Sequence, residues 1–339
     1  RTNTSTLNSS KMNGILKLVI NQLRRGITKQ ETLVTLPCRA AGGAVAPPAD
    51  CSVTVEEAVS LWTQHFLQHG VSEPLSSSHY IIAHVLGKKT LESVERRRLR
   101  ETLTDKEREC VWKLCSKRLT RMPVQYVIEE WDFRDLTLKM RPPVFIPRPE
   151  TEELVSLVLE HLQSEQVMKA RGKAAVHCLE IGCGSGAISL SLLHSVPQLK
   201  GIALDQSQEA VCLTKENASR LGLQDRLEVR KLDIMKDAAL IVRDYGPVDV
   251  LVSNPPYLFT EDMASLEAEI LKFEDHSALD GGLDGMSVIR GMYLCICVDP
   301  RHPPLLQWLV EEQTEGLHYL GTSCDLTTRP RFCVLQRSG

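Results

Sequence analysis

Three stretches of this chain carry side chains whose types and spacing suit one piece of chemistry. The first is Glu180-Ile181-Gly182-Cys183-Gly184-Ser185-Gly186, which follows an apolar run and opens a helical one. Glycines there let the backbone turn sharply and let a ligand approach the amides with no Cβ in the way. A dinucleotide fold prefers G-x-G-x-x-G, with a pyrophosphate at the helix N-terminus. Here the spacing is G-x-G-x-G, and on this loop alone a nicotinamide cofactor stays open. The second is Asp205, 19 residues after Gly186, where a carboxylate accepts two hydrogen bonds from a ribose diol. Asp233, just after the next apolar run, is placed to meet an adenine amino group; a solvated loop carboxylate suits that position equally.

The third stretch decides between the cofactors. Asn254-Pro255-Pro256-Tyr257 follows the apolar run Val250-Leu251-Val252-Ser253. That is the carboxyl end of a strand, where open α/β sheets bind ligands. Two prolines fix the backbone and remove two N–H donors. Asn254 offers an acceptor and a donor. A planar amide or amino group can therefore donate to Asn254 Oδ1 and the Pro255 carbonyl, with Tyr257 against its flat face. Such a site holds a planar amide or amino group with its nitrogen aimed at a third point.

The elements that must position these residues alternate in period. Strands are predicted at Val176–Ile181, 202–204, 227–232 and 248–253, with helices near 187–193 and 208–221, the latter closed by Gly222. Alternation of this kind means a parallel sheet with helices on both faces. Upstream, residues 53–121 read as helical: Val55, Val59, Trp62 and Phe66 share a face that Gly70 ends. A second helix covers 78–86, and a third opens on Thr104 and Glu107, a capping-box spacing, and runs to Leu119. The stretch from Gln125 to Met140 reads as a hairpin turning at Arg134-Asp135. Pro142, Pro143, Pro147 and Pro149 then make a stiff connector before a helix over 151–162.

Composition narrows the class. No stretch of this 339-residue chain reaches the ~18 consecutive apolar residues of a spanning helix. Residues 1–50 carry +5 and the remainder −8, so the body is a poor partner for phosphate backbones, which disfavours direct sequence-specific nucleic-acid binding. Eleven cysteines contain no Cys-x-x-Cys pair, and Cys295-x-Cys297 is too close for zinc. Cys178 and Cys212, in apolar runs, read as reduced small hydrophobes, which suggests a reducing compartment. His65 and His69 share a helix face with no third ligand nearby, so no metal is expected. Ile15, Leu16, Val19, Ile20 and Leu23 form an apolar face opposite Lys17, Asn21 and Arg24, as in a mitochondrial transit peptide, followed by a linker at 41–48.

With the glycine loop, Asn-Pro-Pro-Tyr and Phe145-Ile146-Pro147-Arg148-Pro149-Glu150-Thr151-Glu152, the chain resembles the HemK/PrmC family of protein-(glutamine-N5) methyltransferases, mitochondrial branch. The resemblance covers roughly residues 53–339. It implies a class I methyltransferase, α/β and Rossmann-like, with a doubly wound, mainly parallel sheet. A small N-terminal helical domain and a β-hairpin connector precede it. The implied division is transit peptide and linker at 1–50, helical substrate-docking domain at 51–121, hairpin and Pro-rich connector at 122–150, and catalytic domain at 151–339.

The resemblance implies that S-adenosylmethionine is held by Glu180, Gly182, Cys183, Gly184, Ser185, Gly186, Asp205, Asp233 and Asn254. It implies that Asn254, Pro255, Pro256 and Tyr257 receive the glutamine of the Gly-Gly-Gln motif of a class I release factor in the mitochondrial matrix. The Pro-Arg-Pro-Glu-Thr segment lines the cofactor entrance or serves as a strut. One departure stands out: only residues 287–297 separate Met286 from Val298-Asp299-Pro300-Arg301-His302-Pro303, where the family continues through a long helix and a fifth strand. Eleven residues cannot hold an average helix, a turn and a ~5-residue strand. The expectation is loss of both, as from an alternatively spliced message, leaving apolar surface unpaired. A DNA or RNA adenine amino-methyltransferase and a catalytically impaired splice-variant binding protein are the competing readings.

Overall fold

Local signals at chain level set the helix starts. Thr54 and Thr104 each accept from the backbone N–H three residues on, and Glu57 and Glu107 reach back to the threonine N–H, forming two complete capping boxes. They open α1 (Val55–Gln68) and α4 (Asp105–Leu119); between them lie α2 (Pro74–Val85) and the short α3 (Arg96–Leu99). Trp62, Phe66, Val111, Trp112 and Cys115 pack at the centre of these helices. The computed structural model describes residues 52–162, 176–289 and 295–337. The targeting segment inferred at 1–50 lies outside the described residues.

The hairpin forms between Glu130–Phe133 (β1) and Leu136–Lys139 (β2), turning at Arg134 and Asp135. Its predicted first residues do not extend it: Val124–Val127 is a helical turn, α5, started by Pro123. Pro149 then opens α6 (Pro149–Leu162), two residues earlier than the sequence pattern places it, as suits a residue without an N–H at a helix start.

Seven strands follow: β3 (Val176–Ile181), β4 (Leu199–Asp205), β5 (Leu227–Lys231), β6 (Val250–Ser253), β7 (Cys295–Cys297), β8 (Leu317–Cys324) and β9 (Pro330–Arg337). Their order is β5-β4-β3-β6-β7-β9-β8. Every pair from β5 to β7 is parallel, and β9 runs antiparallel to both its neighbours. Helices α7 (Ala187–Ser195), α8 (Gln208–Arg220), α9 (Ile234–Tyr245), α10 (Ala268–Phe273) and α11 (Pro303–Gln313) complete the order. Along β3, Val176 and Cys178 pack into the core that α6 and α7 cover, while Leu179 and Ile181 pack into the one with Ile241 and Leu306. Burial on both faces is why these strands read as apolar runs. At the end of α8, Gly222 takes φ +68° and lets the Leu223 N–H reach back to Ala218 O, 2.9 Å.

Two expectations need correction. The fifth parallel strand is not lost. Cys295 and Ile296 pair with Val252 and Ser253, and Ile296 and Cys297 pair with Cys333 and Phe332. Three residues suffice because the strand is flanked on both sides. The helix before it is absent among the described residues between Met286 and Cys295. Cys212 is not a buried hydrophobe: it lies exposed on α8, where Gln208 Nε2 donates to its sulfur. Among the described residues no helix is long and apolar enough to cross a membrane, and no three ligating side chains gather for a metal.

One buried side chain fastens the hairpin to the sheet. Asn217, on α8, accepts from the Lys139 N–H (2.7 Å) and donates to the Lys139 and Ser185 carbonyls (3.1 and 3.0 Å). Asn217→Ala orphans these groups, at about 1–3 kcal/mol per buried group. A loss of about 2–4 kcal/mol in urea unfolding is expected; a change within about 0.5 kcal/mol, the usual size of a surface-substitution effect, contradicts that role.

Candidate functional site

The carboxyl ends of β3, β4 and β6 meet around one cavity of about 1020 Å³, its open mouth included. Glu180, Gly182, Cys183, Gly184, Ser185, Asp205, Asp233, Asn254, Pro255 and Pro256 all line it. Gly186 and Tyr257 do not.

The glycine loop is tied down by its own backbone. The Gly182 and Cys183 N–H groups donate to Leu204 O at 2.8 and 3.0 Å. Gly186 has φ +85°, and a Cβ there would stand 2.9 Å from Leu190 Cδ1 and 3.0 Å from Thr214 Cγ2. It shapes the loop from behind rather than facing the cavity. Asp205, ending β4, takes one backbone N–H on each oxygen: Gly184 on Oδ2 at 2.9 Å and Ser207 on Oδ1 at 2.8 Å. Burial pushes its carboxyl up against the pull of these donors. Cys183 is buried and accepts from Thr214 Oγ1 at 3.4 Å, and burial pushes its thiol well up.

Asp233 is neither free nor simply solvated. It caps α9, accepting from the Met235 N–H at 2.9 Å, and pairs with Lys236 at 2.7 Å. The lysine and the cap hold its carboxyl below the usual range. Leu232, Ile234, Met235 and Val288 give this end of the cavity an apolar wall, and Val144, Phe145 and Pro147 face in from the connector.

Asn254 is the distinctive side chain. Its Nδ2 donates to Thr151 Oγ1 at 3.2 Å, while its Oδ1 is buried with no partner. Thr151 is itself 3 % exposed and stands in the first turn of α6. The prolines after Asn254 have no N–H to offer. Ser253 Oγ donates to Ile181 O at 2.7 Å and pins the strand end. Tyr257 turns away from the cavity: its ring packs against both sheet cores beneath the Arg331 guanidinium, 5.2 Å from the ring centroid. Burial pushes its hydroxyl up. Sequence reasoning missed Thr151 as the partner of Asn254, and missed Asp275 and Ser277, which line the cavity from the far loop. Nothing in their local spacing marks them, because the contacts span more than 100 residues in the first case.

Glu180 is 1 % exposed, and its Oε2 accepts from the Ser189 N–H at 3.0 Å and from the Ser189 hydroxyl. Burial pushes its carboxyl up to about 8, against the Ser189 bonds. The folded value lies above the unfolded one of 4.5, so its stability contribution is complete below about 4.5 and is lost as pH rises through about 8. Thermal midpoints should therefore fall across that window for the native chain and fall less for Glu180→Gln. Parallel curves for the two proteins would remove Glu180 as the source.

The comparisons agree with this geometry. The PrmC N-terminal domain family matches residues 57–128, and the Methyltransferase small domain family matches residues 136–278. A human relative, the MTRF1L release factor glutamine methyltransferase, is 45% identical over 307 residues, covering 86% of this chain and 90% of its own length. The release factor glutamine methyltransferase of Deinococcus radiodurans is 32% identical over 289 residues, covering 82% of this chain and 96% of its own. With a class I methyltransferase sheet, a cavity at its carboxyl edge and these relatives along most of its length, the chain belongs to the release factor glutamine methyltransferase family.

Proposed function

We propose that this protein uses S-adenosylmethionine to methylate N5 of the glutamine in the Gly-Gly-Gln motif of a class I mitochondrial release factor, in the matrix. The observation that carries the reading is the buried Asn254 Oδ1, left without a partner on a residue that lines the cavity. A buried acceptor is normally satisfied. An entering amide N–H satisfies this one, and the Pro255 carbonyl is the natural acceptor for the second N–H.

The residues present fit the cofactor. Asp205 keeps lone pairs beyond its two backbone donors for a ribose diol, as a carboxylate has about four acceptor positions. The apolar wall at Leu232 and Ile234 suits an adenine ring, and Asp233 at its rim suits an exocyclic amine. When bound, S-adenosylmethionine supplies an electrophilic methyl group on a positively charged sulfur.

What the chain does is orient the nucleophile. An amide nitrogen is weak because its lone pair is delocalised into the carbonyl. Acceptors on its two hydrogens raise its electron density and fix the direction in which it presents, so that orientation supplies much of the rate. Thr151 Oγ1 engages Nδ2 of the Asn254 amide and leaves Oδ1 without a donor. The helices over 51–121 are the docking platform for the factor in this reading, and 122–150 joins them to the catalytic part.

The test is methylation of a purified release factor with the acceptor located by mass spectrometry. Asn254→Ala should lower methyl transfer about 10²–10³-fold, the scale of removing one preorganised polar group. Cofactor affinity by calorimetry should change much less. Asn254→Asp should also fail, since it loses the donor to Thr151 and adds charge beside the reacting centre. Near-normal glutamine methylation by Asn254→Ala contradicts the mechanism, and methyl on adenine instead of glutamine contradicts the substrate. Localisation rests on the basic, amphipathic residues 12–25. A fusion of residues 1–50 to a fluorescent reporter should enter mitochondria, and uniformly cytosolic fluorescence overturns that assignment.

A further inference from the structure

The segment after Asn254-Pro255-Pro256-Tyr257 returns to the cavity, where Asp275, Ser277 and Ala278 line it. Midway it carries α10, six residues long and too short to hold its own place. Two buried carboxylates hold it instead. Glu274 Oε1 accepts from Arg148 at 2.5 Å and Oε2 from the Ile146 N–H at 3.1 Å, which ties the segment to the connector. Glu269, five residues earlier, reaches in the other direction.

Glu269 is 5 % exposed and takes five hydrogen bonds from three residues of the N-terminal helical region. Its Oε1 accepts from the Ser72 N–H (3.3 Å) and hydroxyl (2.9 Å), Arg118 Nη1 (3.2 Å) and Arg121 Nε (2.8 Å). Its Oε2 accepts from Arg121 Nη2 at 2.7 Å. Arg118 is 3 % exposed and braced by Ser77 Oγ, Ser72 O and Met122 O. Burial opposes the charge on Glu269, but the Arg121 and Ser72 donors outweigh it and hold the carboxyl down to about 2. The joint is fully charged and fully paired, and a buried pair that loses one partner strands the other charge.

We propose that Glu269 is a positioning residue that makes the acceptor loop and the helices around Arg118 one rigid piece. The cavity then meets a glutamine at the distance set by a folded protein seated on those helices, so the acceptor is recognised at two places at once. This deepens the functional reading above and rests on it. Glu269 touches no reacting atom; its effect is on where the acceptor arrives.

The experiment uses the full chain with Glu269→Gln and, in case that variant folds poorly, Ser72→Ala, which keeps both arginine pairs. For methylation of an intact release factor, KM should rise about 2- to 30-fold, the range for coupling through residues that touch neither ligand. Both kcat and cofactor affinity should stay within about twofold, against the about 10²–10³-fold cost of a lost reacting contact. Ser72→Ala should shift KM in the same direction by less. Amide hydrogen exchange, which needs no substrate, should quicken together in 105–119 and 268–280. A joint loss of kcat and cofactor affinity, an unchanged KM, or exchange that quickens on one side only overturns the proposal. If the native chain methylates no release-factor glutamine, the functional reading falls, and the exchange result still judges the joint.

Discussion

A carbonyl oxygen buried without a donor costs about 1–3 kcal/mol relative to water, and a fold tolerates it only where it cannot be relieved. Asn254 Oδ1 is such an atom. The other end of the same amide is engaged, because Nδ2 donates to Thr151 Oγ1 at 3.2 Å, so Oδ1 is the end left without a donor. Thr151 is itself held in place, buried in the first turn of α6 with its N–H bonded to Arg148 O at 2.9 Å. The next two residues are prolines with no N–H. Ser253 is pinned to β3. Each neighbour removes one way for the acceptor to satisfy itself, and what remains is an acceptor waiting for a ligand.

That constraint explains the layout of the sheet edge. The acceptor, the glycine loop and Asp205 sit at the ends of β6, β3 and β4, three neighbouring parallel strands. Parallel pairing puts their carboxyl ends on one side, and the crossovers put helix starts there too. Bonds across these ends lock them together: Ser253 to Ile181, Cys183 to Leu204 and Gly184 to Asp205. The positions of cofactor and acceptor residues are therefore not independent, and a shift in one strand end moves all three.

Much of this was legible in the sequence because its signals are local. The strand limits of β3, the start of α7, the hairpin turn and the capping box at Thr104 all follow from period or from residues three to five apart. What the sequence hid is the long-range polar work. Asn217, Glu269 and Glu274 look like ordinary helix or loop residues, and only the fold brings donors to them across 78 to 197 residues. Helix α9 escaped for another reason. Ile234, Ile241 and Tyr245 share its inner face and Lys236, Asp237, Arg243 and Asp244 its outer one, but the apolar Met235 and Val242 beside that inner face stay 58% and 73% exposed, and no glycine or proline marks its start. Tyr257 was placed against the flat face of the acceptor from its neighbours in sequence; it is not among the cavity-lining residues, and its partly buried ring packs against both sheet cores.

The shortened stretch before β7 bears on the sheet more than on the site. Every residue that lines the cavity lies between Val144 and Val288. The C-terminal part acts from behind. β9 carries Arg331, which donates to Val298 O at 3.1 Å and covers the Tyr257 ring. His302, 1% exposed, bonds to Asp284 O at 3.0 Å and stacks on Phe259, which fixes the loop that follows the acceptor motif. Both residues depend on β7, because it alone joins β6 to β9. A strand of three residues with Ile296 and Cys297 fully buried keeps that junction. The backing of the acceptor site is thereby carried through a short element of the sheet, whose buried pairing on both sides holds Arg331 and His302 behind the acceptor loop.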